Sequence, residues 1–187
     1  MLVDSSMATL SDLTFRTAFV IYIAALVMSC IYYGRLLGVI DLRREHGEGG
    51  AAEGNAEYDK RVASARKWAG MTQALVWFGV ALHVAAFVTR GFAARRFPLG
   101  NLYEYILFMT AVIMVVAATV VQRKGWYTVW PWLLFPMVVA MFLNSTVFHM
   151  QAAPVVPALQ SYWLPVHVSS VSIGASVGLV SGVFALL

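Results

Sequence analysis

Apolar and polar stretches alternate along the chain, and five of the apolar stretches are long enough to cross a membrane. A transmembrane helix needs about 20 mostly apolar residues. Lipid offers the backbone no hydrogen-bond partner, so each stretch is predicted to be α-helical. The predicted spans are residues 17–40, 68–89, 101–122, 125–148 and 163–187. The pattern predicts an all-α polytopic bundle of about five transmembrane helices, in one membrane domain over residues 1–187.

The positive charges of the connections predict how this bundle is oriented. The polar segment 41–67 carries six Lys and Arg residues and the turn at Arg123 and Lys124 adds two, whereas the opposite side carries four. Cytoplasmic connections are enriched in Lys and Arg. We therefore predict an outer N-terminus and an inner C-terminus. Segment 41–67 becomes a polar cytoplasmic loop, in which the spacing of Glu57 and Arg61 favours a helix leading into the second span.

Composition excludes several other classes of protein. Hydrophobic residues make up 60% of the 187 residues and charged residues 12%, against about 25% charged in a soluble domain. This excludes a water-soluble domain, a disordered chain and a nucleic-acid binder, and basic cytoplasmic connections account for the pI near 9.4. The one cysteine, Cys30, excludes an internal disulfide and a cysteine-based metal site.

Two polar features of the spans each have a structural and a functional interpretation. Asn101 and Glu104 have the spacing of a capping box, which is sufficient to start the third span; the alternative is a loop whose acid contacts a partner or substrate. His83 lies in the middle of the second span. An ionisable residue there suggests function, and the alternative is a neutral imidazole hydrogen-bonded to a neighbouring helix.

The start of the fifth span offers the clearest candidate for cofactor chemistry. Trp163 and His167 are four residues apart and share a helix face. An imidazole beside an indole suits axial ligation of haem iron and packing on a porphyrin, and the alternative is an interfacial pair that anchors the helix. Gly174, Gly178 and Gly182 form a repeated GxxxG, which predicts a packing seam that turns His167 toward protein.

Two segments together resemble a known family. Residues 97–104 read FPLGNLYE and residues 156–168 read VPALQSYWLPVHV. Both are similar to motifs of the system II cytochrome c assembly proteins of the CcsA/CcsB/ResC type, and their order and spacing agree with the N-terminal portion of that family.

The resemblance implies a function in cytochrome c maturation in the plasma (inner) membrane. Such proteins bind haem b and present it on the outer face for covalent attachment to apocytochrome c, together with a ResB-type partner. His167 matches the family's external axial haem ligand. Trp163 is then expected to line the haem edge, and Asn101 and Glu104 to support that face. At most, the chain is part of a holocytochrome c synthase (haem lyase) complex.

Other features of the family are not matched. Its tryptophan-rich haem-binding segment, a second external histidine and a transmembrane histidine have no counterpart here, so we expect a chain truncated before that segment. Two alternatives stay open: a cofactor-free structural subunit of a membrane assembly complex, and a small transporter subunit. For a transport path, the spans offer few polar residues besides His83, Gln73 and Asn144.

Overall fold

The computed structural model describes residues 4–45, 56–151, 161 and 163–186. Within these residues the fold is all-α, with five helices that are long and apolar enough to cross a membrane. This confirms the predicted fold class, while the orientation stays a prediction. The helices are α1 (Ser5–Glu45), α2 (Ala56–Ala94), α3 (Leu102–Lys124), α4 (Trp130–Thr146) and α5 (Trp163–Leu186), with a 3₁₀ turn at Tyr127–Val129 before α4.

Helices α1 and α2 are much longer than the apolar stretches inside them. They contain 41 and 39 residues, hence a length of about 60 Å each at 1.5 Å per residue. The hydrocarbon core of a bilayer is about 30 Å thick. The helix predicted to lead from Glu57 into the second span is confirmed: residues 56–67 of the polar segment form the first turns of α2, where Arg61 Nη2 lies 2.7 Å from Glu57 Oε1. Residues 46–55 of that segment lie outside the described part of the chain.

The two long helices form an antiparallel pair with polar contacts near both ends. At one end, the Ser11 hydroxyl donates to the carbonyl of Ala86 at 2.7 Å. At the other, Arg35 Nη1 donates to the Ser64 hydroxyl at 2.8 Å. These contacts fix the register of α1 against α2.

A glycine lets α1 and α2 approach closely in the middle of the pair. The Tyr22 ring of α1 is fully buried against Gly79 of α2. A Cβ atom at position 79 would lie only 2.7 Å from Tyr22 Cε1, a distance that real Cβ contacts do not reach. The packing of the two helices here therefore depends on the missing side chain.

Helix α5 packs chiefly against α3, and it uses a different face from the one predicted. Its buried residues are Ser172, Ser176 and Val180. The three glycines of the repeated GxxxG are exposed, with no described atom within 4 Å of the Cβ that each would carry. The predicted glycine seam is therefore wrong for the described chain, because small serines on the opposite face provide the close contact.

Candidate functional site

The connection between α2 and α3 begins with a tight helix end. The backbone N–H groups of Arg95 and Arg96 donate to the carbonyls of Phe92 and Gly91, both at 3.2 Å. Arg95 has a φ of 49°, in the left-handed region. This is a Schellman motif, with arginine where glycine is the usual residue. It turns the chain sharply toward the start of α3.

The start of α3 is capped by the two residues that the sequence indicated. Asn101 Oδ1 accepts a hydrogen bond from the Glu104 N–H at 2.8 Å. In a standard capping box, the glutamate would accept from the N–H of the cap residue itself. Here Glu104 Oε2 accepts instead from the N–H of Gly100, at 2.8 Å. The Glu104 side chain therefore contacts the residue before the cap, in the loop between α2 and α3.

The Glu104 carboxylate is fully buried and faces two arginines. Arg96 Nη1 lies 2.9 Å from Glu104 Oε2 and Arg90 Nε lies 3.4 Å from Glu104 Oε1. Arg90 is itself fully buried, and its Nη1 lies 3.6 Å from Asp12 Oδ1 of α1. We call Asp12, Arg90, Arg96 and Glu104 the charged cluster. Its two cations and two anions balance, as buried charges must.

Aromatic and backbone groups complete the surroundings of the charged cluster. The Arg90 guanidinium lies over the Tyr103 ring, 4.9 Å from its centre, and also donates to the carbonyl of Met150. The Tyr103 hydroxyl donates to Asp12 at 3.3 Å. His149 Nε2 lies 3.9 Å from Asp12 Oδ2. Residues of α1, α2 and α3 and of the segment that follows α4 thus meet at one end of the bundle.

The geometry of the charged cluster determines what it can do. Glu104 has no exposed surface, so its carboxylate cannot reach a ligand without rearrangement. A Cβ at Gly100 would lie 2.6 Å from the Arg96 guanidinium, so the loop is closely packed on the same arginine. The cluster is therefore built to hold the α2–α3 loop in place. The hydropathy pattern does not indicate Arg90 or Asp12 as a pair, although a charge at the end of an apolar stretch needs a partner.

The polar residues inside the spans are used for packing between helices. His83 is fully buried, and its Nε2 lies 3.2 Å from the Thr110 hydroxyl of α3. Gln73 donates to the carbonyl of Ala118 at 3.2 Å and accepts from Trp130 Nε1 at 3.0 Å. His83 is thus hydrogen-bonded to a neighbouring helix, which is the structural one of its two interpretations.

Trp163 and His167 lie in the first turns of α5 and point away from the bundle. Trp163 is 79% exposed and His167 is also exposed, on the face opposite to Ser172 and Ser176. Within the described residues neither ring has a hydrogen bond, ion pair or ring contact. The expectation that His167 faces protein is therefore wrong for this part of the chain. Six of the thirteen residues of the second motif, 156–160 and 162, lie outside the described residues.

The two pairs of candidate residues thus differ in availability. Asn101 and Glu104 are committed to the cap and the charged cluster. The His167 imidazole is accessible, and a neutral imidazole nitrogen is a common ligand of haem iron. No group of three or more His, Cys, Asp or Glu residues in the described ranges could hold a metal ion by itself.

Comparison with known proteins finds curated relatives of one kind. The chain is 31% identical over 131 residues to the cytochrome c biogenesis protein CcsA of Porphyra purpurea, covering 68% of this chain and 40% of the relative. It is 35% identical over 103 residues to CcsA of Guillardia theta, covering 53% of this chain and 34% of the relative. It is 38% identical over 85 residues to CcsA of Trieres chinensis, covering 43% of this chain and 27% of the relative.

The other two comparisons are negative. No family model matches the chain. No solved structure matches it either.

Proposed function

We propose that this chain, which is a relative of the CcsA-type cytochrome c biogenesis proteins, takes part in cytochrome c biogenesis by binding haem b at the outer face of the membrane. It spans about two fifths of the length of the Porphyra purpurea protein, the first of the relatives that it matches. The names of those relatives and the five membrane-spanning helices support the proposal.

The observation that carries the proposal is the exposed face of α5. His167 presents an imidazole without a described partner, and Trp163 presents an indole one turn earlier on the same face. These two groups suit one axial bond to iron and contact with the edge of a porphyrin. The residues present therefore fit one side of a bound haem. When bound, haem supplies the porphyrin that is joined to apocytochrome c.

Asn101 and Glu104 have a supporting function in this proposal. They fix the loop before α3 through the cap and the charged cluster, on the same predicted outer side as His167. A ResB-type partner and apocytochrome c complete the system in the plasma (inner) membrane. This chain then holds its cargo, and covalent attachment belongs to the assembled complex.

The test measures haem in the purified chain and in three variants. The pyridine haemochrome assay gives haem content, and the absorption spectrum of the untreated protein reports the axial ligand, because ligand identity sets the electronic state of the iron. His167→Ala is expected to lose most of the haem, and His167→Met to retain haem with an altered spectrum. His46→Ala, the matched control from the polar segment, is expected to match the wild type.

Two outcomes would contradict the proposal. Equal haem in His167→Ala and wild type would remove His167 as the ligand. A wild-type chain that binds no haem, while remaining folded by circular dichroism, would favour the cofactor-free structural subunit.

A further inference from the structure

A groove lies between α1 and α2 at the end of the pair remote from the charged cluster. Its volume is about 510 Å³. Three of the residues around it are cationic at neutral pH and one is anionic, so the groove carries a positive charge. Its lining residues are Gly34, Arg35, Gly38, Glu57, Lys60, Arg61 and Ser64.

Two glycines keep the α1 side of the groove open. Gly34 and Gly38 are four residues apart, so they lie one above the other on the same helix face. A Cβ at Gly34 would meet no described atom within 4 Å, and one at Gly38 would lie 3.6 Å from Arg61 Nη1. Space is therefore left directly beside the guanidinium of α2.

The two arginines are held in position but retain unused donors. Arg35 lies over the Trp68 ring, 5.5 Å from its centre, and donates one hydrogen bond to Ser64. Arg61 pairs with Glu57 and contacts the carbonyl of Gly38 at 3.4 Å. A guanidinium carries five N–H donors. Within the described residues, these contacts leave several donors of each arginine available to an anion.

The position of the groove along the helices indicates where its ligand resides. Trp68 begins the uncharged run of α2, and tryptophan at the end of such a run marks the level of lipid headgroups. The groove starts beside Trp68 and extends to its polar side, on the face predicted to be cytoplasmic. Basic pockets between transmembrane helices on that face bind anionic lipid headgroups.

We propose that this groove binds the phosphate of an anionic phospholipid, with Arg35 and Arg61 as hydrogen-bond donors and Lys60 adding positive charge. Arginine suits this ligand because its planar fork matches two phosphate oxygens at once. Glu57 offsets one of the three cations, so a net positive charge remains to attract the phosphate. The inference is independent of haem binding, since it concerns the opposite end of the α1–α2 pair.

The test is native mass spectrometry of the full chain released from detergent micelles, with phosphatidylglycerol and phosphatidylcholine as probes. The wild type is expected to bind phosphatidylglycerol more tightly. Arg35→Gln and Arg61→Gln are each expected to weaken that binding about fivefold, since one basic residue near an anionic lipid surface contributes about 1 kcal/mol. Lys67→Gln is the matched control, because it removes the same charge from α2 outside the groove.

A fourth variant tests the open space of the groove separately from its positive charge. Gly34→Leu fills the open space without changing charge, and leucine favours a helix more than glycine does. This variant is expected to weaken the binding of phosphatidylglycerol without lowering the melting temperature of the protein.

Several results would overturn the proposal. Equal affinity for the two lipids would do so, as would an effect of Lys67→Gln as large as that of the arginine variants. Displacement of phosphatidylglycerol by excess inorganic phosphate would show a site for free phosphate rather than for a lipid. An unchanged affinity in Gly34→Leu would place the lipid elsewhere on the basic surface.

Discussion

Replacing Glu104 by glutamine is expected to destabilise the bundle strongly, although the change is small in volume. Glutamine has nearly the same shape, and its carbonyl oxygen can still accept from the N–H of Gly100. What it removes is the negative charge that faces Arg96 at 2.9 Å and Arg90 at 3.4 Å. The variant therefore isolates the electrostatic part of the charged cluster.

The magnitude follows from the burial of the groups involved. Breaking a buried ion pair by removing one partner costs about 3–5 kcal/mol, because the other charge stays buried without compensation. Arg90 keeps Asp12 at 3.6 Å, and the Arg96 side chain is 16% exposed. Both features reduce the penalty, so we expect a value near the lower limit, about 3 kcal/mol.

The matched control is Glu57→Gln, the same substitution in an exposed pair. Glu57 and Arg61 are four residues apart on α2, with side chains 62% and 46% exposed. Exposed pairs at this spacing contribute about 0.3–0.5 kcal/mol. Unfolding by sodium dodecyl sulfate in mixed micelles, followed by circular dichroism, gives the difference in free energy of unfolding for each variant.

Two results would contradict this expectation. A loss in Glu104→Gln no larger than that in Glu57→Gln would mean that the charged cluster is not buried in the folded protein. The second is a double variant, Glu104→Gln with Arg96→Gln, that is no more stable than Glu104→Gln alone. Removing one of the two cations that face residue 104 should recover part of the stability if Arg96 and Glu104 are coupled.

Two other predictions test the helix packing and the orientation. Gly79→Ala should lower the free energy of unfolding by about 1–3 kcal/mol, because the added Cβ overlaps the Tyr22 ring. Gly70→Ala, where the space is open, should raise it by up to about 1 kcal/mol. The reverse order in the same unfolding assay would contradict the contact between Tyr22 and Gly79. A cysteine at Gln151, in a Cys30→Ser background, should react in intact cells with a thiol reagent that does not cross membranes; labelling only after membrane disruption would invert the predicted orientation.

Some of the structure follows from the sequence because the controlling interactions are local. Each apolar stretch must satisfy its own backbone in lipid, which is why five helices could be predicted without knowing their contacts. The cap of α3 is equally local, since Asn101 and the N–H of Glu104 are three residues apart. The N–H that donates to the Glu104 carboxylate belongs to Gly100, one residue before the Asn101 N–H that a standard capping box predicts.

Other features depend on contacts that the local pattern does not encode. Lipid tails are as apolar as leucine, so hydropathy does not distinguish the face of α5 that packs from the face that is exposed. Gly178 and Ser176 are both small and uncharged, yet only Ser176 is buried. Likewise, Arg90 and Asp12 lie on different helices, and their pairing arises only when α1 and α2 are brought together.

The antiparallel pair of α1 and α2 has a mechanical consequence. Hydrogen bonds from Ser11 and Arg35 fasten α1 to α2 near both ends, and the Tyr22 ring lies in the notch at Gly79 between them. A pair fastened in this way resists sliding, because a shift of one turn would break all three contacts at once. A force applied to this pair at one membrane surface is therefore expected to tilt α1 and α2 together as one rigid unit.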